Sequence, residues 1–453
     1  MNLELDEAVR LVAKYNRMKA PERDAVRSKR LQDLVRYVKA NSPYFSKLYA
    51  GIGEDFSLSD LPITTKAEMM ENFDEWVTDR NLHLADIRKF MENKDNIGRK
   101  YLDTYFPLIT SGSTGNSAVI IRDKTAKSVM DATDYVRCFA RRWDGMRYDA
   151  RGSKMAAVHT KGDFHMGCTM IRARHLADPA SHKVLYCADI LDPLPKTVEE
   201  LNRFNPGLVS TYPTVLTLLA EEQIAKRLRI SPVVILSSGE KLTSEARRLI
   251  KHAFKCTIQD NYYCTEGGAL ASECERQHAH LNDDWVIVEP VDEHHNPVPS
   301  GQLANSWLMT SLGSYAQPFI RYKITDRIIL HEEGCRCKRI SPWIEIEGRS
   351  NEMLLFTGTE GEEVKIAPMT FNALIGEMRS IIRNVRRYQV VIHKGNRLEL
   401  RLEADDKAAA FEEAAASTKA FLAKNGVSAE VVLSDSPPLH DPSGKFRQYY
   451  MAD

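Results

Sequence analysis

The chain has 453 residues, 43% of them hydrophobic and 27% charged, and its 62 Lys and Arg balance 62 Asp and Glu. At roughly 150 residues per domain this length suggests two or three domains, large enough to bury a core without staples. A balanced chain has no global field to draw in nucleic acid, and no apolar run approaches the roughly 18 residues of a membrane span, so neither kind of partner is expected. The opening stretch MNLELDEAVRLVAKYNRM is charged throughout and does not read as a signal peptide. Eight Cys are too few and too scattered for a disulfide framework. Cys138, Cys168, Cys187 and Cys256 therefore read as lone buried thiols, and a reducing, cytoplasmic setting is expected.

Residues 1–80 read as helical. Leu31, Leu34, Val35 and Val38 form one apolar stripe at i, i+3, i+4, i+7, and Asn41-Ser42-Pro43 ends that helix. From Asp103 to Arg122 the pattern becomes strand, Gly/Ser/Thr loop, strand, and from Lys124 to Trp143 it is helical again. Short apolar strands follow at Met155–His159, Val184–Ala188, Leu208–Ser210, Val233–Leu236 and Ile258–Tyr262, separated by helical stretches. Pro213 sits where a helix begins. Buried strands alternating with helices predict an α/β layered domain. After Trp285 the chain is strand-rich, through Val286–Val291, Ser306–Thr310 and Ile328–Leu330. The last hundred residues predict a small α+β domain, with a hairpin around Lys394-Gly395-Asn396, a helix over Asp406–Lys424 and a strand at Ala429–Leu433. The expected boundary lies at Gly348, giving domains 1–348 and 349–453.

Five motifs could carry chemistry. Thr110-Ser111-Gly112-Ser113-Thr114-Gly115-Asn116 packs hydroxyls and glycines into a loop whose backbone N–H groups can approach a polyphosphate, although no Gly-Lys-Ser/Thr makes it a Walker loop. Asp260-Asn261-Tyr262-Tyr263-Cys264-Thr265-Glu266-Gly267-Gly268 ends a strand in an aromatic pair, a hydroxyl and an acid, a set able to stack a base and hold a hard metal. Arg321-Tyr322-Lys323-Ile324-Thr325-Asp326 closes a strand with a carboxylate that can accept a pair of ribose hydroxyls. Gly348-Arg349-Ser350-Asn351 and Ser443-Gly444-Lys445 complete the set. Taken singly, each is as readily a turn, a solvated edge or a tail.

In this order the five motifs resemble the adenylate-forming superfamily of acyl-CoA ligases, luciferases and peptide-synthetase activation domains. The short length, Ser42-Pro43-Tyr44-Phe45, Leu61-Pro62-Ile63-Thr64-Thr65-Lys66, Ser272-Glu273-Cys274 and Val286–Asp292 are closer to its phenylacetate–CoA ligase branch, over nearly the whole chain. The resemblance implies a large N-terminal adenylating domain and a small mobile C-terminal domain turning about Asn351. It implies ATP-dependent activation of a carboxylic acid to an acyl-adenylate, with pyrophosphate release and transfer to a thiol, coenzyme A first among them. Lys445 would bridge carboxylate and α-phosphate, Thr265 would contact the α-phosphate, Glu266 would bind Mg²⁺, Asp326 and Arg349 would hold the ribose, and Tyr262 would lie on adenine. Thr110 to Gly115, Ser238-Gly239-Glu240 and Asp260 complete the nucleotide site. Tyr135, Cys138, Tyr263, Gly267 and Gly268 would line an acid pocket suited to an aryl or arylacetic acid, and a homodimer is compatible with the family.

Three departures stand out. Asn116 replaces the loop lysine, which leaves Arg122 or Lys124 to supply the cation; Tyr263 stands at a family glycine and should narrow the acid pocket; Asn351 stands at the hinge Asp. Two other readings remain open: an adenylating enzyme with an amine or other non-CoA acceptor, and a catalytically silent nucleotide-binding homologue. Separately, Cys274, His280, Cys335 and Cys337 supply three thiolates and an imidazole, a tetrahedral set suited to structural zinc, with His278 or Cys264 as substitutes for one ligand.

Overall fold

A computed structural model of the chain describes residues 3–110, 118–347, 354–366, 374, 385–439 and 449–452. Helices α1 (Leu5–Tyr15), α2 (Ala20–Asn41), α3 (Pro43–Leu48), α4 (Lys66–Glu71), α5 (Phe73–Trp76) and α6 (Leu84–Glu92) come first. The predicted stripe of α2 is buried. Ser42 ends α2 and caps α3: its hydroxyl accepts the Phe45 N–H at 3.3 Å and donates to the Trp76 carbonyl at 2.8 Å, with Pro43 at the first helical position.

A hairpin of β1 (Phe106–Ile109) and β2 (Val119–Arg122) leads into α7 (Lys124–Arg137) and α8 (Arg142–Ala150). Then come β3 (Met155–His159), α9 (Met166–Ala177), β4 (Leu185–Asp189), α10 (Leu194–Phe204), β5 (Leu208–Thr211), α11 (Pro213–Ile224), β6 (Val234–Ser237), α12 (Ser244–Phe254) and β7 (Thr257–Cys264). The antiparallel strands β8 (Gly268–Glu273) and β9 (Ala279–Leu281) follow. After them lie β10 (Val286–Val291), β11 (Ser306–Ser311), β12 (Tyr322–Ile324), β13 (Arg327–His331) and β14 (Trp343–Glu347).

One nine-stranded sheet runs in the order β13-β14-β9-β8-β7-β6-β5-β3-β4. Its β4-β3-β5-β6-β7 half is parallel and the remainder antiparallel. The parallel half is covered by helices, and its strands are accordingly short apolar runs such as Val234-Ile235-Leu236. Strands β10, β11 and β12 form a second sheet. Further along, β15 (Leu354–Thr357) pairs with β16 (Glu363–Ile366). A four-stranded mixed sheet, in the order β19-β18-β17-β20, is built from β17 (Val385–His393), β18 (Arg397–Ala404), β19 (Glu430–Leu433) and β20 (Tyr449–Met451), with α13 (Lys407–Lys424) between β18 and β19.

The predicted hairpin, helix and last strand are all present in this second part, and Asp406 caps α13 by accepting the Ala409 N–H at 3.0 Å. Among the described residues no helix is long and apolar enough to cross a membrane. Cys168 and Cys187, read from sequence as lone thiols, are joined as a disulfide between α9 and β4, with Cα atoms 6.3 Å apart. The pairing depends on α9 folding back onto the sheet, which 19 residues of separation conceal. Cys138, Cys256 and Cys264 are free.

Candidate active site

The carboxyl ends of parallel strands are where an α/β sheet binds ligands, because the chain leaves the sheet there and opens a crevice. A cavity of about 1800 Å³ lies at those ends of β3, β5, β6 and β7 and extends beneath the β12–β13 turn. Its wall includes Thr110, Ser238, Gly239, Glu240, Asp260, Tyr262, Thr265, Glu266 and Asp326, which brings together every described residue that the resemblance put on the nucleotide. Tyr135, Cys138 and Tyr263 line the same cavity from α7 and β7. Lys445, Arg349, Asn351, Asn116 and the loop residues Ser111, Gly112, Ser113, Thr114 and Gly115 lie outside the described residues.

Local chemistry fixes several of these groups. Tyr262, on β7, donates its hydroxyl to Asp326 Oδ2 at 2.6 Å, so one carboxylate oxygen is held from across the cavity wall. Gly239 adopts φ +81°, and a Cβ there would meet the Tyr212 ring at 2.9 Å, so only glycine lets the chain turn past that ring. Glu240 Oε2 accepts the Thr214 N–H at 3.0 Å and the Thr214 hydroxyl at 2.7 Å, placing a carboxylate at the start of α11. Asp260 is held by its backbone, whose N–H donates to Glu273 at 2.7 Å. Among the described residues its buried Oδ1 makes no hydrogen bond of ordinary geometry, and burial pushes the carboxyl up to about 7 against the pull of the nearby Ser237 hydroxyl. A buried carboxyl atom on the cavity wall can accept from a polar ligand group such as a base edge. Burial also raises Glu266, against the opposing pull of Lys66 and Arg122. Mg²⁺ takes one or two carboxylates together with phosphate oxygens and water, and Glu266 offers such a carboxylate on the cavity wall.

Two sequence assignments change. Gly267 and Gly268 are absent from the cavity wall. A Cβ on Gly267 would strike Leu270 and Met309 at 2.6 Å, and Gly268 has φ +76° with its Cβ position 3.2 Å from the Arg122 guanidinium, so close packing and the turn require both glycines. Neither Arg122 nor Lys124 lines the cavity. Arg122 is buried behind the turn and donates to the Thr265 carbonyl at 2.6 Å, while Lys124 pairs with Glu4 on the surface.

One cation on the cavity wall is Lys66, whose Nζ donates to Thr110 Oγ1 at 3.2 Å. It stands at the first position of α4, behind the cap Thr65. The segment before it is tied to β12: Thr64 N–H donates to the Arg321 carbonyl at 3.1 Å, and Lys323 N–H to the Thr64 carbonyl at 2.9 Å. Sequence reading had noted Thr64-Thr65-Lys66 without giving Lys66 a role. His159 and His165 were missed as well. Both line the cavity, and burial holds both below the ordinary imidazole range, His159 at about 4, so they are neutral at pH 7.

The Cys/His set also converges. The ligand atoms of Cys274, His280, Cys335 and Cys337 lie within 4.8 Å of one another. Cys274 and Cys335 sulfurs are 3.8 Å apart. Two thiolates bound at about 2.3 Å to a tetrahedral zinc are separated by about that distance. Cys337 Sγ is 3.3 Å from His280 Nε2, and His280 Nδ1 faces the Ser341 carbonyl at 2.6 Å, which fixes the tautomer that leaves Nε2 free to ligate. The N–H groups of Arg276, Cys337 and Arg339 point at the sulfurs of Cys274, Cys335 and Cys337, at 3.3, 3.4 and 3.3 Å. The two substitutes are engaged elsewhere: His278 stacks on Trp343 at 3.9 Å and Cys264 lines the active-site cavity.

No protein-family model matches the chain. Over 318 residues it is 25% identical to protein CapK of Staphylococcus aureus, covering 68% of this chain and 63% of that one. Over 217 residues it is 26% identical to the phenylacetate–coenzyme A ligase of Thermus thermophilus, covering 45% and 46%. The chain thus spans about half to three-fifths of the curated relatives it matches. Among solved structures, 2-hydroxyisobutyryl-CoA ligase bound to 2-HIB-AMP and CoA superposes with a TM-score of 0.60 at 18% identity, covering 97% of this chain and 91% of that one. The same ligase in its postadenylation state gives a TM-score of 0.56. The chain therefore shares its fold with 2-hydroxyisobutyryl-CoA ligase. In sequence it is similar to a phenylacetate–coenzyme A ligase over a little under half its length.

Proposed function

We propose that this chain activates a carboxylic acid with ATP and passes the acyl group to a thiol, coenzyme A foremost. One observation carries the reading: Asp260, Tyr262, Thr265, Glu266 and Asp326, scattered over 66 positions, converge on a single cavity at the carboxyl ends of the parallel strands. In the first step a carboxylate oxygen attacks the α-phosphorus, and the bond to the β-phosphate breaks with its electron pair leaving on pyrophosphate. In the second a thiol sulfur attacks the acyl carbonyl, AMP departs, and the thiol proton passes to solvent.

Asp326, held by Tyr262, takes the ribose hydroxyls, and the buried Asp260 carboxyl meets the base. Thr265 faces the α-phosphate. Glu266 holds Mg²⁺, which when bound neutralises phosphate charge. Lys66 supplies the cation that Asn116 does not. Residues 1–348 form the nucleotide- and acid-binding domain, and residues 349–453 form the mobile domain carrying Lys445 and Arg349. Tyr449, on β20 of that domain, lines the cavity, which supports the reading that the second part closes on the site. The Cys/His set holds one structural zinc.

A panel of carboxylic acids scored for pyrophosphate release, with and without coenzyme A, tests the activity. Release that depends on an acid supports activation, and no release with any acid sinks it. Release that coenzyme A does not carry on to a thioester transfers the second step to another acceptor. Asp326→Ala should weaken ATP binding about 10-fold or more by calorimetry, because charge-assisted hydrogen bonds to the ribose are lost, each worth about 1.5–3 kcal/mol. An unchanged ATP affinity would remove Asp326 from the ribose.

A further inference from the structure

Helix α7 and its cap present Met130, Asp134 and Cys138, spaced four apart and therefore on one face, to the cavity. Asp134 is the one ionisable carboxyl of that row, set between a thioether and a thiol, with Phe139, Met170 and Ile171 elsewhere on the wall. Across from it Tyr263 donates its hydroxyl to Asp134 Oδ1 at 2.7 Å. The Asn261 amide lies beside the same hydroxyl, so the Tyr263 ring is fixed from two sides. Nearby, Asp131 is engaged by Lys127. Burial pushes the Asp134 carboxyl up to about 7, with Asp131 adding to the rise and the Tyr263 hydroxyl and the charge of Arg122 opposing it. The end of α7 is itself rigid: Arg137 makes a bidentate pair with buried Asp284, at 2.9 and 3.0 Å. The Asp134–Tyr263 pair is thus a pre-positioned polar fixture in an apolar wall, aimed where the acid rather than the nucleotide would lie.

Resting on the activation reading above, we propose that Asp134, oriented by Tyr263, determines specificity by accepting a hydrogen bond from the substrate acid, which therefore carries a hydroxyl or amine donor remote from its carboxylate. A plain hydrocarbon acid leaves that carboxyl desolvated with no new partner. A donor-bearing acid satisfies it, and sites built to bind a substrate OH or NH discriminate strongly against the analogue lacking it. Tyr263 keeps Asp134 in place while its ring shortens the pocket.

The test uses matched acids: phenylacetate, 4-hydroxyphenylacetate and 4-aminophenylacetate, together with short aliphatic acids with and without a terminal hydroxyl or amine. Each is measured twice, by calorimetric binding in the presence of AMP and by acid-dependent ATP–pyrophosphate exchange. The wild-type chain should favour the donor-bearing member of a pair about 10–100-fold in both. Asp134→Ala and Asp134→Asn should lose most of that preference through weaker use of the donor-bearing acid, while AMP binding, and hence folding, is retained. Tyr263→Phe should lose part of it and keep the chain-length limit. Preference for hydroxyl over amine, or the reverse, distinguishes the two donors. Equal use of both members by the wild-type chain, or an equal loss of both in Asp134→Ala, overturns this inference and leaves activation standing. Binding that follows Asp134 without any exchange overturns the activation reading alone. Neither binding nor exchange with any acid overturns both.

Discussion

Lys66→Met is expected to lower acid-dependent pyrophosphate exchange by about 10²–10³-fold, the range seen when a single pre-positioned group that stabilises developing charge is removed. Its Nζ sits 3.2 Å from Thr110 Oγ1, at the start of the loop proposed to take the phosphates, and its charge opposes the effect of burial on Glu266. The side chain is held where its charge can act: Thr65 caps α4 at 3.4 Å to the Glu68 N–H, and Thr64 is stitched into β12 on both sides. A fixed cation need not reorganise when charge moves onto the leaving pyrophosphate, which is why its contribution exceeds that of a solvated lysine. Met preserves the length and apolar stem, so the fold of α4 should survive. The loss should fall mainly on the maximal rate, with ATP affinity changed much less, because the attraction grows as the bond breaks. Lys66→Arg should restore part of the rate. A Lys66→Met variant with undiminished exchange would show that phosphate charge is met elsewhere; a loss confined to ATP affinity would make Lys66 a ground-state contact.

How much of this was readable in the sequence depended on whether the chemistry was contiguous. The parallel strands announced themselves because helices cover both faces and leave them as apolar runs: Met155–His159 matches the observed strand, and Leu208–Ser210 and Val233–Leu236 fall within one residue of theirs. The short antiparallel strands β8, β9 and β14 were not seen. Ala279-His280-Leu281 is too brief to show alternation, and its identity as a strand comes from pairing with β8 and with Trp343 and Ile344, 63 and 65 positions beyond their partners. Asp260 through Glu266 could be read as one unit because one strand end carries them all. Lys66 could not be matched to Thr110, nor Asp134 to Tyr263, since those pairs are 44 and 129 positions apart and only the packing of α4 and α7 on the sheet joins them. Gly267 and Gly268 were read as pocket space because small residues suggest room; their glycine character comes from Met309, Leu270 and Arg122 pressing on them from behind. Arg122 or Lys124 was expected to supply the missing cation from its place after the loop; packing instead turns the Arg122 guanidinium to the Thr265 carbonyl and sets Lys124 against Glu4, contacts that no local pattern signals.

Zinc should be found at about one per chain in protein purified without chelator, and Cys337→Ser should remove it. Four ligand atoms within 4.8 Å, a thiolate pair at the spacing tetrahedral zinc imposes, and an imidazole whose Nδ1 is held by the Ser341 carbonyl leave little to rearrange on binding. In zinc-finger peptides such a site is worth about 10–16 kcal/mol because nothing else holds the fold. Here β9 and β14 are also paired by backbone hydrogen bonds, so a smaller cost is expected, about 3–5 kcal/mol of lost stability, within the range of mutations that delete a metal. The damage should also reach the nucleotide. Cys274 directly follows Glu273, whose carboxylate receives the Asp260 N–H at 2.7 Å and is ion-paired with Arg247. Freeing Cys274 loosens the end of β8, and with it the backbone that presents Asp260 to the cavity. Chelation or Cys337→Ser should therefore lower the thermal midpoint and weaken AMP binding together, and added zinc should reverse the effect of chelation but not that of the mutation. Protein free of zinc, with Cys274, Cys335 and Cys337 open to alkylation and the thermal midpoint unchanged by chelator, would show that the four side chains are neighbours without a metal. Zinc loss that lowers stability but leaves AMP affinity intact would keep the metal and cut its link through Glu273 to Asp260.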